Sequence, residues 1–129
     1  MHFLKLKQVL FIHYRAVQRF SGSQGIRDLG LIDSGVARPQ STFGGEYLYQ
    51  SIFDKAAALL QSLLKNHPFV DGNKRTALIS SAIFLKKNGY KLVNNHKKEV
   101  TFAIKVDNGN LTISQISKWL KQHSVKISK

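Results

Sequence analysis

The stretch Thr76–Leu85, TALISSAIFL, carries no charge and is apolar or small on every side. A helix without a polar face belongs in the middle of a domain, covered all round by its neighbours. Lys86, Lys87, Asn88 and Gly89 suit its C-terminal end, with cations near the last carbonyls and then a glycine able to take positive φ. The rest of the chain is expected to supply the covering helices. At 129 residues it has material for one core, so a single domain over residues 1–129 is the expectation.

Helical spacing recurs on both sides of this segment. Phe3, Leu6, Leu10, His13, Val17 and Phe20 follow one another at intervals of three and four, the stripe of a first helix. Ser21-Gly22-Ser23-Gln24-Gly25 ends it. A weaker helical piece covers Ile26–Ala37 and breaks at Arg38-Pro39. Ser41 to Glu46, with Gly44-Gly45, reads as a loop or small hairpin. Phe53, Ala56, Ala57, Leu60, Leu63 and Leu64 then mark a strong helix ending near Asn66. Val100, Ala103 and Ile104 suggest a short one. Thr112-Ile113-Ser114-Gln115 is a capping box, and Leu111 with Ile116 forms its hydrophobic staple. The fold class expected is all-α.

Composition narrows the function classes. The chain has no cysteine, which excludes disulfides and thiolate metal sites and fits a reducing cytoplasm. No segment approaches the roughly 18 apolar residues that span a bilayer, and Lys5, Lys7 and Arg15 interrupt the apolar start, so neither a membrane span nor a secretory leader is expected. The net charge is +13, and ten of the lysines lie between Lys86 and Lys129, against two acids. Such a basic surface attracts nucleic acid, an anionic membrane or an acidic protein, and charge alone does not rank these.

Chemistry concentrates in His67-Pro68-Phe69-Val70-Asp71-Gly72-Asn73-Lys74-Arg75-Thr76-Ala77, between two apolar helices. A helix start leaves backbone N–H groups unpaired at the positive end of its dipole, and Gly72 lets the chain curl so that they face an anion. Asn73 is expected to be the N-cap. Arg75 offers a planar fork for two phosphate oxygens. Asp71 would repel phosphate unless a cation such as Mg²⁺ stood between them. His67 is able to accept a proton from a hydroxyl near neutral pH.

The run HPFVDGNKRTA resembles the signature of the Fic/Doc family, whose general form is H-x-F-x-D/E/N-G/A-N-G/K-R. The resemblance extends from about Leu4 to Leu120 and includes Arg38-Pro39-Gln40 and the Phe84-Leu85…Asn88-Gly89 ending. It implies a compact helical bundle in which the motif loop joins two central helices, with a β-hairpin flap beside it. It also implies ATP and Mg²⁺ as the small molecules used. In that scheme His67 is the general base, assisted in catalysis by Lys74 and Arg75. Asp71 holds the metal; Gly72, Asn73, Lys74 and Arg75 shape the anion hole; and Phe69 anchors the loop in the core.

Two positions separate branches of the family. Members that transfer AMP read Gly where this chain has Lys74, and Arg where it has Leu78. Lys74 resembles the Doc branch, toxins that phosphorylate elongation factor Tu. The resemblance therefore implies a cytoplasmic Doc-like toxin acting on a hydroxyl of a translation factor, with an AMP transferase as the alternative. Its implied partner is a small antitoxin with an acidic tail, inhibiting in trans; direct nucleic-acid binding is not expected. The internal inhibitory helix of some members, S/T-x-x-x-E-G/N, finds a poor match at Thr42 to Glu46. A third reading is a non-catalytic basic binding module, for which an intact His67, Asp71 and Arg75 would serve no purpose.

Other residues have plainer expectations. His13 lies on the apolar stripe and reads as a hydrogen-bonded core histidine, and Trp119 and the phenylalanines read as core. His2, His96 and His123 lack partners at metal-ligand spacing. Arg38 and the Gly44-Gly45 loop are candidates for docking a target segment.

Overall fold

The chain's computed structural model describes residues 1–93 and 95–127. Helix α1 (Leu6–Phe20) buries Val9, Ile12, His13, Ala16 and Val17; of the expected stripe, His13 and Val17 are buried, Phe3, Leu6 and Leu10 pack half-buried against the core, and Phe20 is exposed. Helix α2 (Leu29–Ala37) starts on Asp28, whose carboxylate accepts the Leu31 N–H at 3.1 Å. One 3-10 turn, Arg38–Gln40, carries the buried Pro39. The Gly-Gly segment is a hairpin: β1 (Thr42–Phe43) pairs antiparallel with β2 (Glu46–Tyr47). Its two-residue turn has φ of 62° at Gly44 and 84° at Gly45, positive values that glycine takes without a Cβ clash. Thr42 to Glu46 is therefore strand and turn, not an inhibitory helix.

Helix α3 (Ile52–Lys65) is capped by Ser51, which accepts the Asp54 N–H at 3.0 Å. It is buried on most sides and packs against α2, α4, α5 and α6, which are α4 (Asn73–Lys87), α5 (His96–Asp107) and α6 (Ile113–Gln122). Helix α4 buries Thr76, Ala77, Ser80, Ser81, Phe84 and Leu85 and half-buries the residues between them, as its uncharged sequence requires. Its small side chains allow close approach to α3, and α1 covers another side. Helix α6 begins with the expected capping box: Thr112 accepts the Gln115 N–H at 3.1 Å, and Gln115 accepts the Thr112 N–H at 2.9 Å.

Leu4, Val9, Ile32, Phe53, Leu60, Phe69, Phe84, Phe102, Ile116 and Leu120 belong to one continuous apolar cluster. Three phenylalanines expected in the core lie outside it: Phe11, Phe20 and Phe43 are exposed, Phe43 to 84% at the hairpin tip. Ile104 on α5 is also exposed.

A second small sheet was not expected from the sequence. Strand β3 (Tyr90–Leu92) pairs antiparallel with β4 (Ser124–Lys126). The Ile127 N–H adds a bond to Gly89 O at 2.8 Å. At the other end of the chain, the His2 N–H donates to Asn88 Oδ1, and the Asn88 amide returns a bond to His2 O, both at 2.9 Å. Residues 2 and 127 are thus both fastened to the turn that follows α4. Among the described residues no helix is long and apolar enough to cross a membrane.

Lys55 is buried on α3, where its ammonium donates to the carbonyls of Tyr49 and Gln50 and lies 4.3 Å from the centre of the Tyr47 ring. Burial pushes its pKa below the usual lysine value, and neighbouring Asp54 opposes the shift. This cation ties the hairpin's exit to the central helix.

Candidate active site

The motif loop runs from the end of α3 to the start of α4, and three sets of contacts hold it. Phe69 is fully buried and stacks on His13, ring centroids 3.7 Å apart and planes 9° apart. His13, itself 3% exposed, donates from Nε2 to the Asp71 carbonyl at 2.8 Å. It is the hydrogen-bonded core histidine expected, and its partner is the motif loop. Asn73 provides the second set. Its side-chain oxygen accepts the Phe69 N–H and its amide donates to Phe69 O, each at 3.0 Å.

Asn73 is therefore not the N-cap expected from the sequence. Gly72 caps α4 in a left-handed conformation, φ 77°, and Asn73 is the first helical residue. Reaching back four residues, the amide closes the loop with one acceptor and one donor bond. A Cβ on Gly72 would also press within 3.0 Å of Val17 Cγ2.

The segment after α1 makes the third set. The Arg27 and Asp28 N–H groups both donate to Pro68 O, at 2.8 and 3.0 Å, and the Val70 N–H donates to Gly25 O at 3.1 Å. Ile26 and Phe69 form an antiparallel bridge. The Ser-Gly run that reads as a helix stop is thus also a strap across the motif loop. A Cβ at Gly22 would come within 2.9 Å of Asp71 Oδ2, and one at Gly25 within 2.9 Å of Val70 Cγ2.

Against this rigid frame the candidate residues gather at the N-terminus of α4. Side chains of Asp28, Ser51, Asn95 and Thr112 cap α2, α3, α5 and α6, whereas among the described residues no side chain caps α4. Its first N–H groups and the positive end of its dipole are left to an anion. Arg75, half-buried, lays its guanidinium 3.8 Å from the centre of the exposed Phe20 ring. Stacking fixes the plane and leaves the N–H edge open to phosphate oxygens. Among the described residues no carboxylate pairs with Arg75.

Asp71 is exposed at the rim; its Oδ1 accepts the Gly72 N–H at 2.9 Å and its Oδ2 the Ser23 N–H at 3.1 Å. Each oxygen keeps a lone pair. Among the described residues no three acidic or histidine side chains converge on a metal position. A divalent cation here would rest on Asp71 alone, with phosphate and water completing its shell. Mg²⁺ takes that donor set at nucleotide sites, so the residues fit it.

His67 has φ 45°, a left-handed conformation unusual outside glycine. Its Nε2–H donates to Asp107 Oδ1 at 2.7 Å, and the other Asp107 oxygen lies 3.8 Å from Lys74 Nζ. Asp107, last residue of α5, joins the histidine to the lysine of the motif. Sequence reading passed over it: it stands 40 positions from His67 and belongs to no local pattern. Arg38, a docking candidate, is spent internally on Tyr49 Oη, Gln61 Oε1 and Ser62 Oγ at 2.8–2.9 Å.

A family model described as the Fic/DOC family matches residues 3–85, well over half of the sequence. The chain belongs to the Fic/DOC family. The matched residues contain α1 to most of α4 and the whole motif loop, and they stop before Asp107. Two curated relatives are similar to this Fic/DOC chain. Toxin Doc of Mycolicibacterium smegmatis is 55% identical over 73 residues, 57% of this chain, and the chain spans 56% of that relative's length. Protein kinase doc of Escherichia phage P1 is 25% identical over 122 residues, 95% of each chain.

Proposed function

We propose that this Fic/DOC chain acts as one domain, a Doc-like toxin that moves the γ-phosphoryl group of ATP to a hydroxyl of a protein, with a translation factor such as elongation factor Tu as the target. The observation that carries this reading is the grouping of a base, two cations and two carboxylates, Asp71 and Asp107, around the single uncapped helix start among α2–α6. A binding module needs the helix start and Arg75, but has no use for a histidine held by a carboxylate. The toxin relative and the relative named as a protein kinase support the same class.

In this mechanism the N–H groups at the start of α4, with Arg75 and Lys74, hold the triphosphate. Asp71 is the residue to hold Mg²⁺, which supplies charge neutralisation on the phosphates when bound. Because Asp107 accepts the Nε2–H of His67, Nδ1 carries the free lone pair. The target hydroxyl gives its proton to Nδ1 as its oxygen bonds to the γ-phosphorus. The bond from that phosphorus to the bridging oxygen breaks, and ADP leaves. Positioning and charge supply most of the acceleration in such a transfer. An acidic-tailed antitoxin acting in trans is the inhibitor this reading implies.

The test compares ATP labelled at the α- and at the γ-phosphate, with Mg²⁺, purified elongation factor Tu and a lysate, beside a His67→Ala control. Label arriving from γ alone and lost in the control is the expected result. Label from α would make the chain an AMP transferase. No transfer by folded protein to any lysate component would overturn the enzymatic reading.

A further inference from the structure

The surface formed by α5 and α6 takes no part in the chemistry above. Lys97 and Lys105 lie two turns apart along one row of α5, with Lys98 beside them. Asp107 is two positions past Lys105, about 200° round the helix, and nine past Lys98, about 180° round it, so these two lysines face away from Asp107. Together with Leu111 and with Trp119 of α6, the three lysines line a cavity of about 360 Å³ over buried Phe102. No carboxylate lines it among the described residues.

Two features of this groove have no explanation in folding. Lys97 and Lys98 sit in the first turn of α5, where the helix dipole is positive and a cation is opposed rather than favoured. The cavity also has an apolar floor beneath a cationic rim. An anion at the rim and an apolar group on the floor would answer both.

Trp119 decides which kind of anion. Its indole stacks on Phe102 at 3.8 Å with planes 4° apart, and on His123 at 3.9 Å with planes 18° apart. Two rings this close cannot share one face, so both faces are covered and only the indole edge meets the groove. A nucleic-acid base therefore has no platform on which to stack, the contact that such sites depend on. A side chain of leucine size meets the edge and Leu111 without needing a free face.

We propose that this groove docks an acidic peptide segment bearing a bulky apolar side chain. Its carboxylates meet Lys97, Lys98 and Lys105, and its apolar group rests against Leu111 and the edge of Trp119. The site goes beyond the transfer reaction and does not depend on it.

Trp119 is the chain's one tryptophan, so intrinsic fluorescence reports on the groove directly. The probe is a short tryptophan-free peptide of glutamates around a central Leu-Leu pair, titrated into the full chain at physiological salt, where the Debye length is about 8 Å. Saturable change in Trp119 emission is expected. The pair Lys97→Glu and Lys105→Glu should weaken binding by roughly tenfold, whereas Lys86→Glu with Lys87→Glu, of equal charge change at the end of α4, should weaken it by less than about twofold. Lys97→Gln with Lys105→Gln gives a milder loss in the same direction, and circular dichroism verifies each fold. His67→Ala should bind the peptide unchanged, which separates failure of this site from failure of the transferase reading. Equal weakening by both charge-reversed pairs, equal binding of an all-glutamate peptide, or no change in emission would overturn the proposal. So would displacement of the peptide by a single-stranded oligonucleotide that depends on the same lysines, which would make the groove a nucleic-acid site.

Discussion

Asp107 determines which nitrogen of His67 carries hydrogen, and replacing it separates orientation from mere presence of the imidazole. With Asp107→Asn the amide can offer its N–H₂ to Nε2, so the ring no longer has to be protonated there. Nitrogen NMR of the neutral histidine ring should show the Nε2–H tautomer in the native protein and a mixture in the variant. Transfer activity should fall by about 10- to 100-fold, part of what a general base contributes. An unchanged tautomer would remove Asp107 from this role. Asn73 gives a second residue-scale expectation. Asn73→Asp keeps the acceptor for the Phe69 N–H but loses the donor to Phe69 O, leaving a carbonyl beside a carboxylate. Thermal melts should show a loss of about 1–3 kcal/mol. The motif residues were legible because their chemistry is contiguous, from His67 to Arg75. Asp107 was not, since only packing brings the end of α5 to the end of α3. The role of Asn73 was misread for a local reason: with Gly72 left-handed at the cap, the amide points back along the loop.

At the scale of elements, α4 contains a small surplus of polarity. Thr76 Oγ1 and Ser80 Oγ, one turn apart, are buried without a hydrogen-bond partner among the described residues. Ser80→Ala removes an unsatisfied hydroxyl at almost no cost in volume, and chemical denaturation should show it neutral or stabilising by up to about 1 kcal/mol. A clear loss would mean that the hydroxyl has a partner. Lys55 predicts the opposite sign. Lys55→Met keeps the length of the side chain but strips the Tyr49 and Gln50 carbonyls of their donor. It should lower stability by about 1–3 kcal/mol in the same measurement and speed amide exchange in β1 and β2. The helices could be read from spacing, and the start of α6 to the residue, because its capping box is a local code. Strands β3 and β4 were not readable, being three residues each and joined to partners more than thirty positions away. The stripe of α1 was legible from Phe3 to Val17 but was carried one position too far, because Phe20 looked apolar whereas its ring serves as a shelf for Arg75.

Over the whole molecule, α4 is an axle with work at one end and fastenings at the other. Its 15 residues span about 22 Å, from the anion-facing N–H groups to the turn at Asn88 and Gly89. His2 is bound to Asn88 and Ile127 to Gly89, which are consecutive residues. The path of the backbone is accordingly almost a closed ring. Joining residue 127 to residue 1 through a short flexible linker, and opening the chain between Gly44 and Gly45, would give a circular permutant with new ends at an exposed tip. It should keep the native helical circular dichroism and melt in one cooperative step, and a broad, non-cooperative melt would show that the hairpin's continuity is needed for folding. To such a fold the order in which its elements are synthesised matters less than their neighbourhood. Cargo attached before residue 2 or after residue 127 would ride about a helix length from the N-terminus of α4.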